Sequence, residues 1–198
     1  MKRITVTALA LVLATAFAQP GTLQWKYETQ GAVHSSPTIQ NDTLYVGSDD
    51  NHIYALDARN GTLKWKYETQ DTVYSTPTVH NDTLYVGSWD EHIYALDART
   101  GTLKWRYKTQ GWIASSPAIA NGTLYVGSMT TFIDGYVYAL NAQNGALQWR
   151  YKTGRVISSP TIHNDTVYIG SEDGYVYAID ASSGALRWKY LTLPVYSS

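Results

Sequence analysis

Tyr94-Ala95-Leu96-Asp97-Ala98-Arg99-Thr100-Gly101-Thr102-Leu103-Lys104-Trp105 is one instance of a phrase that recurs along the chain. Its glycine-led half opens at Gly21, Gly61, Gly101, Gly145 and Gly184. Each copy runs through Thr or Ala, Leu and a polar or basic residue to a tryptophan: Trp25, Trp65, Trp105, Trp149 and Trp188. The spacings are 40, 40, 44 and 39 residues. A period of that length is the signature of units that cannot bury their own faces and must stack on neighbours. Units 21–60 and 61–100 differ at only ten of forty positions, so the repetition is a fact of the sequence rather than of a chosen alignment.

Each unit carries four strand signals. In the second unit they cover Val73 to Val79, Thr83 to Ser88, His92 to Asp97 and Thr102 to Thr109. Between them stand Asn81-Asp82, Asp90-Glu91 and Thr100-Gly101, matched elsewhere by Asn121-Gly122, Asp173-Gly174 and Asn60-Gly61. Such pairs accept the positive φ of tight hairpin turns. Four short antiparallel strands in about forty residues predict a β-propeller blade. Pro37, Pro77, Pro117 and Pro160 fall inside the first strand signal. Proline donates no ladder hydrogen bond, so that strand is predicted to be the inner edge. The second and third signals are nearly continuous apolar runs, as expected of strands covered on both faces. The fourth alternates Leu103, Trp105, Tyr107 with Lys104, Arg106, Lys108, one face packed and one wet.

The phrase quoted first resembles the tryptophan-docking motif of PQQ-like, quinoprotein-type repeats, and Tyr85-Val86-Gly87-Ser88 and Ser116-Pro117 resemble that family's other hallmarks. The family includes quinoprotein alcohol dehydrogenases, an outer-membrane assembly lipoprotein (BamB) and sensor domains. The resemblance covers residues 21–198. It implies an all-β propeller of four-stranded antiparallel blades, with about four repeats of roughly forty residues. It implies a blade-docking role for Trp25, Trp65, Trp105, Trp149 and Trp188, and it does not single out one activity.

The units are 21–60, 61–100, 101–144 and 145–183, with a partial unit at 184–198, in a repeat domain spanning 19–198. Five copies of the fourth strand against four of the others predict an incomplete ring. Missing blades, a second copy of the chain, or a tight four-bladed closure are the ways to cover the apolar face so exposed. Ahead of the repeats, Met1-Lys2-Arg3, an apolar run to Phe17 and Ala16-Phe17-Ala18 lay out a signal peptide over residues 1–18. The run is short for a membrane span. No cysteine exists to carry a lipid anchor, a disulfide or a thiolate site. The sequence therefore reads as exported, to a periplasm, a cell surface or the medium.

Net charge is −1 with signs interleaved, which gives no basic stripe for nucleic acid. Catalytic motifs, phosphate loops and paired zinc ligands are not found, and no catalytic residue, metal or cofactor is expected. Asp50, Asp90, Asp134 and Asp173 recur at one turn position and read as turn formers. His52 and His92 occupy equivalent strand positions. Asn41, Asn60, Asn81, Asn121 and Asn164 head N-x-T triplets but suit hairpin turns equally well.

Variation between units concentrates on two loops that emerge on one rim, the fourth-to-first and second-to-third connections. The candidate rim residues are His34, Asp49, Tyr74, Trp89, Trp112, Met129, Phe132, Arg155 and Glu172. Aromatic residues on variable loops of a rigid scaffold suit a protein-binding surface. The expectation is a non-catalytic scaffold that binds a protein partner in the cell envelope. The alternatives are a fragment of a PQQ-dependent dehydrogenase and a carbohydrate-binding or sensor module.

Overall fold

The computed structural model describes residues 21–130 and 133–192. The expected signal peptide over residues 1–18, Phe132 and the closing Val195-Tyr196-Ser197-Ser198 lie outside them. Sixteen strands form four separate four-stranded sheets, each a meander in sequence order. Blade 1 contains β1 (Thr38–Gln40), β2 (Thr43–Gly47), β3 (His52–Asp57) and β4 (Leu63–Glu68). Blade 2 contains β5 (Thr78–His80), β6 (Thr83–Gly87), β7 (His92–Asp97) and β8 (Leu103–Lys108). Blade 3 contains β9 (Ala118–Ala120), β10 (Thr123–Met129), β11 (Asp134–Asn141) and β12 (Leu147–Gly154). Blade 4 contains β13 (Thr161–His163), β14 (Thr166–Gly170), β15 (Tyr175–Asp180) and β16 (Leu186–Leu191). The described residues form an open propeller arc. Among them no helix is long and apolar enough to cross a membrane.

Turn chemistry sets the hairpins. Asn41-Asp42, Asn81-Asp82 and Asn164-Asp165 all hold positive φ at both residues, the two-residue turn whose twist matches that of the strands it joins. The inner strand is shorter than the sequence signal. Pairing starts at Thr38, Thr78, Ala118 and Thr161, each one residue beyond its proline. The prolines therefore end the unpaired approach to the strand rather than sit within it, because they bring no N–H to the ladder. The backbone ahead of them ties blades together instead. Val73, Ile113 and Val156 donate their N–H to the carbonyls of Ser48, Ser88 and Ser128 on the preceding blade. Ser36, Thr76 and Ser116 donate theirs to the hydroxyls of Thr76, Ser116 and Ser159 on the next.

The core lies between blades. Tyr45, Ile53 and Ala55 of blade 1 pack against Leu84, Val86, Tyr94 and Leu96 of blade 2. The same layer recurs between blades 2 and 3 and between blades 3 and 4. This explains why the middle strands are apolar on both faces: each face meets a different neighbour. The outer strands β4 and β8 alternate half-buried and exposed positions, as their sequence alternates.

At every junction one carbonyl receives two donors. Ala98 O accepts Tyr45 Oη at 2.9 Å and Trp65 Nε1 at 3.0 Å. Ala142 O accepts Tyr85 Oη and Trp105 Nε1, and Ala181 O accepts Tyr125 Oη and Trp149 Nε1. The indole then lies flat over a glycine with positive φ. A Cβ on Gly101 would come within 2.7 Å of the Trp65 ring, so the Gly of the phrase is needed for both its backbone and its bareness. Residues 22–28, expected as a fifth copy of the outer strand, pair with no sheet among the described residues. Trp25 nevertheless docks, donating to Ala58 O at 3.1 Å and covering Gly61.

Candidate functional site

The rim is built from four backbone pairs of one design. In each blade the second-to-third turn donates an N–H to the carbonyl of the incoming loop: Asp49 to Ala32, Trp89 to Thr72, Met129 to Trp112 and Glu172 to Arg155. In blades 1, 2 and 4 the pair is braced from below by a carboxylate. Asp50 accepts Gln30 N–H at 2.8 Å and the Tyr54 hydroxyl at 2.7 Å. Asp90 does the same for Gln70 and Tyr94, and Asp173 for Gly154 and Tyr177. Burial pushes the carboxyls of Asp50 and Asp173 up, but these donors outweigh it and hold both below the ordinary carboxylate range. Burial, and then the facing carboxylate, push the hydroxyls of Tyr54, Tyr94 and Tyr177 up.

Asp134 departs from the expected pattern. The four extra residues of the third unit lengthen β10 and β11, carrying Asp134 out of the brace and onto Lys152 at 3.1 Å. Tyr138 takes over, its hydroxyl accepting the Gln110 N–H at 3.0 Å. His52 and His92 begin β3 and β7, each with Nδ1 against the carbonyl of the brace aspartate. Among the described residues no three His, Asp or Glu side chains converge as a metal-binding group.

On this frame the variable residues meet in a single row. His34 Nε2 lies 3.4 Å from Asp49 Oδ2, and its ring stacks on Tyr74 at 4.7 Å. Tyr74 stacks on Trp89 at 5.6 Å, and Trp89 on Trp112 at 5.7 Å, with interplanar angles of 22° and 16°. Trp112 is bridged through its backbone to Met129, whose sulfur faces Arg155 Nη2 at 3.4 Å. Arg155 ends the row in an ion pair with Glu172 at 3.2 Å. Eight of the nine rim candidates are thus contiguous across four blades. The ninth, Phe132, lies outside the described residues. His34 and Tyr74 are exposed, Trp89, Trp112, Arg155 and Glu172 half-buried, and Met129 buried.

Three polar atoms on the row are buried without a hydrogen-bond partner among the described residues: Asp49 Oδ1, Trp89 Nε1 and Arg155 Nε. Each such atom costs about 1–3 kcal/mol, and native folds rarely leave them. Beside the Arg155–Glu172 end, a cleft of about 570 Å³ opens between blades 3 and 4, lined by Asp134, Lys152, Arg155, Glu172, Asp173 and Tyr177. Ile133 stands over it at 80% exposure. Neither the cleft nor Ile133 was expected from the sequence, although both follow from the one insertion that sets the third unit apart.

The comparisons with known proteins agree with this architecture. The sequence profile described as "Outer membrane protein assembly factor BamB" matches residues 2–76 and 72–194. The chain belongs to the BamB family. Among solved structures, BamB from Moraxella catarrhalis superposes with a TM-score of 0.77 at 23% identity, over 88% of this chain and 56% of that one. The quinohemoprotein alcohol dehydrogenase ADHIIG of Pseudomonas putida gives 0.78 at 23% identity, over 87% and 36%. The quinohemoprotein alcohol dehydrogenase of Comamonas testosteroni gives 0.77 at 21%, over 86% and 36%. These likenesses establish a fold that BamB shares with quinohemoprotein dehydrogenases. The chain spans a little over half the length of the BamB structure and about a third of the two dehydrogenases. No curated protein matches the sequence.

Proposed function

We propose that this BamB-family chain is an exported, non-catalytic scaffold of the cell envelope that binds a protein partner through its variable rim. The observation that carries the reading is the contiguity of the row from Asp49 to Glu172. Positions that differ between otherwise near-identical units need not touch one another, yet these do. Stacked Tyr and Trp with an Arg at the margin is the composition of an interface hot spot. The braces beneath hold the row on rigid backbone, the condition under which loops serve recognition. Three of the four recurring carboxylates, Asp50, Asp90 and Asp173, are already committed to N–H and hydroxyl donors, so they serve the scaffold.

Trp89→Ala and Trp112→Ala should each weaken capture of an envelope partner about tenfold or more, with far-UV circular dichroism unchanged. Asn81→Ala on the opposite rim should leave capture intact. Equal losses in all three variants, or none, would defeat the rim assignment. The competing dehydrogenase reading would gain from quinone- and calcium-dependent dye reduction by the purified chain. Export rests on the leader-like start, and its signature is a mature N-terminus at Gln19 by mass spectrometry.

A further inference from the structure

Three asparagines stand directly before a glycine: Asn60-Gly61, Asn121-Gly122 and Asn144-Gly145. In such a pair no Cβ shields the glycine nitrogen, which can then attack the neighbouring carboxamide. Two of the pairs are locked. Gly61 N–H donates to Asp57 O at 2.8 Å, and Asn60 Oδ1 accepts the Thr62 N–H at 2.9 Å. Gly145 N–H donates to Asn141 O at 2.8 Å, and Asn144 Oδ1 accepts the Ala146 N–H at 3.0 Å. The rings of Trp25 and Trp105 lie directly over these two glycines.

Asn121-Gly122 is built differently. It is the exposed turn between β9 and β10, with φ of 49° and 73°. A Cβ on Gly122 would meet nothing within 4 Å. Neither the Asn121 carboxamide nor the Gly122 N–H has a hydrogen-bond partner among the described residues. The matching turns of blades 1 and 2 are also tied down by lysine, Lys64 Nζ reaching Asp42 O at 2.9 Å and Lys104 Nζ reaching Asp82 O at 3.1 Å. In blade 3 Gln148 stands in the lysine's place and accepts the Thr123 hydroxyl instead. Gly122 O keeps one donor among the described residues, the Ala142 N–H at 2.9 Å.

We propose that Asn121 is a site of spontaneous covalent modification, converting to aspartate and isoaspartate and loosening the junction between blades 2 and 3. Solvent base takes the Gly122 amide proton, and the nitrogen bonds to Asn121 Cγ. The Cγ–Nδ2 bond breaks, ammonia leaves, and a succinimide ring closes. Water then adds at either ring carbonyl and opens it, giving aspartate or an isoaspartate whose main chain runs through Cγ. Nothing is oxidised or reduced, and water is the co-reactant. The turn can make the needed rotation because it gives up one backbone tether and no strand pairing. Isoaspartate puts an extra atom into a two-residue turn and adds a charge, so Gly122 O is carried away from the Ala142 N–H. Ala142 is also the junction residue whose carbonyl accepts Tyr85 Oη and Trp105 Nε1, which links the turn to the packing of two blades.

The site lies on the rim opposite the variable row and does not rest on the partner-binding reading. Incubating the purified chain in mildly alkaline buffer, followed by peptide mapping with mass spectrometry, tests it. Asn121 should gain the mass of an amide turned acid at least about tenfold faster than Asn60 or Asn144, where two hydrogen bonds must open first. In urea the three sites should convert at similar rates, because each precedes a glycine. Gly122→Asp recreates the Asn-Asp turn of the other blades, whose second residue already holds positive φ as aspartate. It should slow conversion to the level of Asn41, Asn81 and Asn164. In the aged wild type, amide exchange should quicken at Ala142 and in β9 and stay unchanged in β14. Native-state conversion at Asn60 or Asn144 as fast as at Asn121 would overturn the proposal. So would an Asn121 that converts only on unfolding, or ageing that leaves exchange at Ala142 unmoved.

Discussion

Asp50, Asp90 and Asp173 each join a loop N–H, a turn and a tyrosine from the core strand, so a single carboxylate fixes where the rim stands relative to the blade. The sequence shows that these residues recur and that aspartate suits a turn. It does not show the tyrosine four residues on as the second partner, since strand periodicity alone leaves open what a hydroxyl at the end of a long ring will meet. Asp134 shows the limit in the other direction: its position in the repeat matches the others, and the insertion beside it removes it from the brace. The lowered carboxyls of Asp50 and Asp173 make a pH prediction. A group whose folded pKa lies below its unfolded value of about 3.9 contributes stability that is fully present above that value. The contribution is lost as pH falls through the folded value. Thermal melts between pH 6 and pH 2 should therefore fall more steeply for the wild type than for Asp50→Asn/Asp173→Asn. The double variant should be the less stable protein at pH 6, and parallel curves would show that the braces are not coupled to folding.

The strands of each blade were largely legible because hairpin turns and two-sided burial leave strong local marks: β3 and β7 coincide with the apolar runs, and the Asn-Asp turns hold the expected positive φ. The inner strands were read too long, since a Thr/Val/Pro-rich approach has strand composition without ladder bonds. Contacts between blades were less legible still, because they join residues forty apart that no local period relates. The glycine that ends β2 and β6, and that stands two residues before the end of β10, is such a case. A Cβ on Gly87 would stand 2.0 Å from Ile113 Cγ2, and one on Gly127 would stand 2.1 Å from Val156 Cγ1. Gly87 is thus a point of close approach between blade 2 and the segment that leads into β9 of blade 3. Gly87→Ala should cost about 1–3 kcal/mol through overpacking. Ile113→Ala in the same chain should recover part of that loss, giving a favourable coupling energy in a double-mutant cycle. Strict additivity would mean that the two blades do not press on each other there.

Across the whole molecule, stability follows from nearest-neighbour junctions, as in other repeat arrays. Blades 2 and 3 have a blade on each side. Among the described residues blade 4 has one neighbour, and every residue of its outer strand β16 is exposed. Blade 1 is intermediate, because Trp25 and Tyr27 cover part of its free face. Local opening energy therefore should not be uniform. Amide exchange measured on the chain at low concentration should be slowest in β6, β7, β10 and β11, where Leu84, Val86, Ile93, Leu124, Val126 and Val137 are fully buried. It should be faster in β2 and β3, and fastest in β13 and β16. Truncating residues 21–28 should speed exchange in β2 and β3 at low concentration, by stripping the Trp25 cover. Equal protection across all four sheets would show that the arc behaves as one cooperative unit. Blades held by pairwise junctions cannot produce that result when one outer strand, β16, is exposed along its whole length.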